Sequence, residues 1–322
     1  MRNTRFAVVV SLLLAGVSWG SGVKGDPTRI PDQVPASRSV AFVDVTVIPM
    51  TFDGVLEHQT VVTMRGRIQA IGPVDEIQVP DTAVVIDGTG RFLIPGLADM
   101  HTHLDIELGD GANEAVMWLA NGVTTIFNLG DQLTPLGGGL MELRDSILRG
   151  RLPGPPIYTA SIAYGPATGA RPSHTFTTAG EGRDFVVASK DAGYDFMKVY
   201  TSTTAATFGG ISDQAETSGM SIVGHIPRAV GLNEALRDGL RMVAHLNDFW
   251  CATFDCGANA NLLGAALNPM VRHGAWVATT LALNENFKEM YCGDVQALER
   301  FVLREWWRFA HPSIVSDWYN MV

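Results

Sequence analysis

The chain has 322 residues, a formal net charge of −10 and 17% charged residues. That length accommodates one large domain with a thick core plus a smaller one. The acidic balance, with no basic stripe, argues against a nucleic-acid partner, and the 46% hydrophobic fraction excludes a disordered or fibrous chain.

Residues 1–25 carry Arg2 and Arg5, then an apolar run from Phe6 to Val17, then the small residues Ser18, Gly20, Ser21 and Gly22. This is the three-part pattern of a secretory signal peptide, and the apolar run is short for a bilayer span. Export to the periplasm or the extracellular space is expected, with no stable membrane span after cleavage. Residues 26–39, rich in Pro, Ser and charge without periodicity, read as a linker. In an exported chain the close pair Cys251 and Cys256 is spaced to staple a loop by a disulfide; buried free thiols are the alternative.

Over residues 40–94, short β-branched runs are punctuated by Gly54, Gly66, Gly72, Gly88 and Gly90. They predict a small antiparallel sheet unit. It hands the chain to the stretch from Phe92 to Asp105, Phe-Leu-Ile-Pro-Gly-Leu-Ala-Asp-Met-His-Thr-His-Leu-Asp. On a strand, His101 and His103 leave the same face, so two imidazoles can share an ion without backbone contortion. An isolated His-X-His is as often a pair of structural histidines.

From residue 95 onward, short apolar strands alternate with helical segments, the texture of βα units around a parallel sheet. Strands are predicted at Ala98 to His103, Thr124 to Leu129, Ile157 to Ile162, Phe196 to Tyr200, Ser221 to Ile226, Met242 to His245 and Trp276 to Leu281. Helices are predicted at Glu114 to Ala120, Leu140 to Leu148, Arg183 to Ala192, Gln214 to Ser218, Asn233 to Arg237 and Asn261 to Arg272. The fold class is α/β: a (β/α)8 TIM-type barrel over residues 95–322. Its eighth strand is missing from the pattern, since nothing after Leu281 reads as another barrel strand.

In such a barrel the chemistry sits at the C-terminal strand ends. His101 and His103 end the first strand, His225 the fifth and His245 the sixth. On the fourth, Lys198 and Tyr200 share one face, opposite Met197 and Val199. An inward lysine among histidines is costly as an unpaired ammonium. It is accounted for if the neutral amine has reacted with carbon dioxide, giving a carbamate that bridges two metal ions. Tyr200 would point into the same cavity as a hydrogen-bond donor, or else cap the barrel core. His174, in the Gly- and Pro-rich loop after the third strand, is either a substrate contact or a solvated loop residue.

The string Pro95-Gly-Leu-Ala-Asp-Met-His-Thr-His, the lysine on strand four and the single histidines ending strands five and six resemble the amidohydrolase superfamily. The resemblance runs from Val40 to about Leu283, implies that the small sheet over residues 40–94 is a β-sandwich part, and is strongest to imidazolonepropionase-like and Xaa-Pro dipeptidase-like members. It implies that His101 and His103 hold a first divalent ion, that His225 and His245 hold a second, and that Lys198 bridges them as a carboxylated lysine. The cofactors implied are two divalent metal ions, zinc foremost, with carbon dioxide for the lysine. The partner implied is a small-molecule or dipeptide-like substrate, and a homo-oligomer is allowed.

The activity the resemblance implies is hydrolysis of amide or peptide-like C–N bonds by a metal-bridged hydroxide. An esterase or lactonase on the same scaffold would use the same chemistry. The pattern departs from the family at two points: the general-base aspartate that ends the eighth strand has no counterpart here, and neither have the final sandwich strands. Asp317 follows only Ile314 and Val315, too short a run for a barrel strand. A C-terminally truncated member is the expectation, with a catalytically inert metal-binding remnant as the competing one.

Overall fold

The computed structural model describes residues 39–104, 111–130, 138–166, 175–254 and 263–281. The signal peptide, all of the linker but Ser39, His174 and Asp317 lie outside the described residues.

Strands β1 (Val40–Val47), β2 (Leu56–Met64) and β3 (Arg67–Pro73) form an antiparallel meander. The β2–β3 connection is the pair Arg65 and Gly66, both at positive φ (53° and 70°), the backbone twist that a two-residue hairpin favours. Then β4 (Val84–Asp87) and β5 (Phe92–Leu93) pair with β1 in parallel, so the sheet is mixed and not wholly antiparallel as the sequence predicted. The intervening residues 74–83 carry the chain back across the sheet, which a parallel pairing requires. Phe42, Val45, Val47, Val61 and Leu93 form the core of this unit.

Seven parallel strands follow: β6 (Leu97–Thr102), β7 (Val123–Asn128), β8 (Ile157–Ala163), β9 (Phe196–Val199), β10 (Ser221–Gly224), β11 (Leu240–Ala244) and β12 (Trp276–Ala278). Their order in the sheet is β12-β11-β10-β9-β8-β7-β6. Among the described residues this is a nearly closed barrel with one seam, between β12 and β6. The helices are α1 (Gly111–Ala120), α2 (Gly138–Leu148), α3 (Ala179–Asp191), α4 (Ala205–Ser218), α5 (Leu232–Arg237), α6 (Leu246–Phe254) and α7 (Leu263–Arg272).

Strand alternation sorts the side chains into two layers. Met197, Val199, Ile222 and Val243 pack outward against Phe185, Phe208, Ile211, Leu236 and Phe249 of the helices. The intervening residues Val223, Met242 and Ala244 join Phe127, Leu129 and Ala160 in a separate cluster. Lys198 belongs to this second set by alternation and is 2% exposed.

Helix α4 is longer than its predicted C-terminal part. Its first half contains Thr207, Gly209 and Gly210, which lower intrinsic propensity. Packing overrides that weakness: Phe208 and Ile211 are buried, and Gly210 lies so close to α3 that a Cβ there would overlap the Ala179 backbone. Thr204 caps its start by accepting the Thr207 N–H at 3.1 Å, and Gly219 ends it in the left-handed conformation (φ 64°). Helix α6 was not predicted, because its aromatic and polar residues carry little helical signal. Cys251 in α6 is disulfide-bonded, with its partner outside the described residues. Among the described residues no helix is long and apolar enough to cross a membrane.

Candidate metal centre

His101 is the penultimate residue of β6 and His103 follows its end; Lys198 lies near the end of β9 and Tyr200 just past it; His225 and His245 each follow the last residue of β10 and β11. All six are therefore at one end of the barrel. The structure brings them into one cluster. His101 Nε2 lies 3.3 Å from His103 Nε2. The His101 ring stacks on His245 with centroids 4.4 Å apart, and His245 on His225 at 5.1 Å. Tyr200 packs on His225 at 4.2 Å, and Lys198 Nζ stands 5.8 Å from the Tyr200 ring centre.

The electrostatics hold His101, His103 and His245 neutral. Burial, then the positive charge of Lys198 and the neighbouring imidazoles, lowers His101 to about 2. Burial and Lys198 lower His103 to about 4. His245 is lowered to about 4 by burial, His225 and Lys198. Burial alone brings the Lys198 amine down to about 7, and no carboxylate among the described residues pairs with it. Neutral imidazoles present lone pairs, and a partly neutral amine is a nucleophile.

These donors fit divalent ions in chemistry. His101 Nδ1 is buried with no hydrogen-bond partner, and two imidazole Nε2 atoms face each other at close range. Among the described residues no group of three His, Cys, Asp or Glu side chains forms a ready-made metal cluster. The rings pack on one another at tilted angles, 42° for His101 on His245 and for His225 on His245 and 58° for His101 on His103.

Several residues that the sequence did not single out hold the cluster in place. Gly130, two residues past the end of β7 and with φ 117°, offers its carbonyl to His103 Nδ1 at 3.2 Å. Asn128, fully buried in β7, accepts the Leu104 N–H at 2.8 Å and donates to Thr159 Oγ1 at 3.2 Å. His245 Nδ1 meets Thr280 Oγ1 at 3.1 Å, and both residues are held at positive φ, 74° and 49°. Such backbone strain in non-glycine residues gathers at functional sites. Asp248 of α6 reaches His225, and Tyr164 stacks on Tyr200 with centroids 4.9 Å apart. In the sequence only Asn128 carries a signal, as an amide inside the predicted strand Thr124 to Leu129.

A scan against protein-family models finds no match. An imidazolonepropionase from Idiomarina loihiensis is 39% identical over 74 residues, covering 22% of this chain and 18% of that protein. A dihydroorotase from Mycobacterium tuberculosis is 45% identical over 65 residues, covering 17% of this chain and 15% of that protein. Among solved structures, a Bifidobacterium longum protein described provisionally as a prolidase superposes with a TM-score of 0.60 at 25% identity, over 76% of this chain and 61% of that one. The chain thus spans less than a fifth of the two curated relatives and less than two thirds of the solved structure. The local sequence matches and the shared barrel fold support the resemblance to the amidohydrolase superfamily that the sequence motifs carry.

Proposed function

We propose that this chain is an exported, metal-dependent hydrolase of amide or peptide-like C–N bonds, acting on small-molecule or dipeptide-like substrates. The observation that carries the reading is the convergence of four histidines and a buried lysine at one end of a parallel barrel. The relatives named above act on C–N bonds, which supports the same class.

In this reading His101 and His103 hold one divalent ion, zinc foremost, and His225 and His245 a second. Lys198 bridges them as a carbamate, formed when its neutral amine attacks carbon dioxide and releases a proton. The amine is poised for that step because burial brings it to about 7. When bound, the ions supply Lewis acidity and a water acidified toward neutral pH. Tyr200 is raised by burial and by Asp248, so it stays protonated and donates a hydrogen bond to a substrate oxygen. The two Nδ1 partners, Gly130 O and Thr280 Oγ1, hold the His103 and His245 rings and so leave each Nε2 for the ion. No general base is assigned among the described residues.

The test is metal analysis and turnover on one purified sample loaded with zinc and bicarbonate. Two ions per chain with hydrolysis of dipeptides or cyclic amides supports the reading. Two ions with turnover confined to esters or lactones replaces amide with ester chemistry. One ion or none, with no turnover, overturns it in favour of an inert metal-binding remnant.

A further inference from the structure

Asp248 lies in the first turn of α6, three positions after His245, and only 15% of its side chain is exposed. An acid in a first helical turn ordinarily serves its own helix N-terminus. This one reaches out of the helix to the neighbouring strand. Its Oδ2 accepts the Ile226 N–H at 2.8 Å and stands 3.6 Å from Nδ1 of His225, whose side chain is 12% exposed. The same oxygen therefore faces both the ring of His225 and the backbone immediately after it. The helix that carries it begins at the residue following His245. One carboxylate thereby links the two strand ends that deliver His225 and His245.

We propose that Asp248 is a positioning residue for His225: it keeps the imidazole in the Nδ1–H tautomer, turned toward Oδ2, so that the bare Nε2 is the nitrogen offered to the cavity. The consequence for metal binding rests on the two-ion reading above; the tautomer does not. An imidazole backed by a carboxylate is both oriented and made more basic, and loss of such a partner weakens metal affinity about 10–100-fold.

The test begins with the metal-free chain, ¹⁵N-labelled at histidine, whose long-range proton–nitrogen correlations report each ring's tautomer. His225 is expected as Nδ1–H in the wild type. D248A is expected to shift it toward Nε2–H, whereas D248N keeps an acceptor oxygen at the same place and should preserve Nδ1–H. In zinc titrations one of two affinities should fall about 10–100-fold in D248A, with the other unchanged and D248N intermediate. An Nε2–H tautomer in the wild type overturns the proposal with no variant needed. So does a D248A chain with the tautomer and both affinities unaltered. If the wild type shows Nδ1–H but binds no zinc, the two-ion reading fails and the positioning role stands.

Discussion

The rings of His101 and His245 stack with centroids 4.4 Å apart, although β6 and β11 are separated in the sheet by β7, β8, β9 and β10. In a flat sheet, five strand steps of about 4.8 Å would hold them roughly 24 Å apart. The contact exists because the sheet curls until its first and penultimate strands face each other at their C-terminal ends. Barrel curvature is thus what assembles the histidine cluster, and changes that disturb the strand ends should act on metal content before they act on the fold.

Lys198→Met tests the bridging role with little change in volume. The amine is buried without a carboxylate partner, so removing it relieves a desolvation penalty. The metal-free variant should melt at or above the wild-type temperature. Its zinc content should fall from two ions to one or none. An unchanged metal count would remove the carbamate from the account.

Gly224 sits at the end of β10 with φ 115°, and a Cβ there would press on the Val199 carbonyl and lie 2.8 Å from Lys198 Cγ. Gly224→Ala therefore combines left-handed strain with a clash against the buried lysine, and should cost about 2–4 kcal/mol. Gly274→Ala is the control: φ is 60°, but nothing lies within 4 Å of the new Cβ. It should cost only about 1–2 kcal/mol. Urea unfolding of both variants checks the difference, and equal losses would mean that contact with Lys198 contributes nothing.

Asn128→Ala removes the acceptor of the Leu104 N–H and the donor to Thr159, both inside the barrel wall. The orphaned groups should cost about 1–3 kcal/mol. Because Leu104 directly follows His103, zinc affinity should drop as well. Asn128→Asp keeps an acceptor for Leu104 and should retain more of that affinity, which parallel zinc titrations would reveal.

Glu181 closes a capping box at the start of α3, where Oε2 accepts the Thr177 and Thr178 N–H groups at 2.8 and 2.9 Å. These bonds lower its carboxyl from 4.5 to about 2. A depressed carboxylate stabilises the fold fully above the unfolded value of 4.5, and that contribution fades as pH falls through about 2. Thermal melts of wild type and Glu181→Gln should differ at pH 6 and converge near pH 2. A constant gap across that range would mean that the cap does not depend on the ionised form.

The sequence by itself determined the strand ends and what stands on them. Alternation turned Lys198 away from Met197 and Val199, and each of the seven predicted barrel strands overlaps an observed one. These are local properties: a period of two and a run of β-branched residues survive in any tertiary setting. The tertiary structure decided the rest. It made the N-terminal sheet mixed, extended α4 over Gly209 and Gly210 by packing Gly210 on α3, and formed α6 from residues without helical pattern. It also decided how the cluster is held, since Asp248 meets His225 and Asn128 meets Leu104 only across neighbouring βα units. No periodicity records such contacts, because they arise when separate segments close on one another and bury their polar groups together.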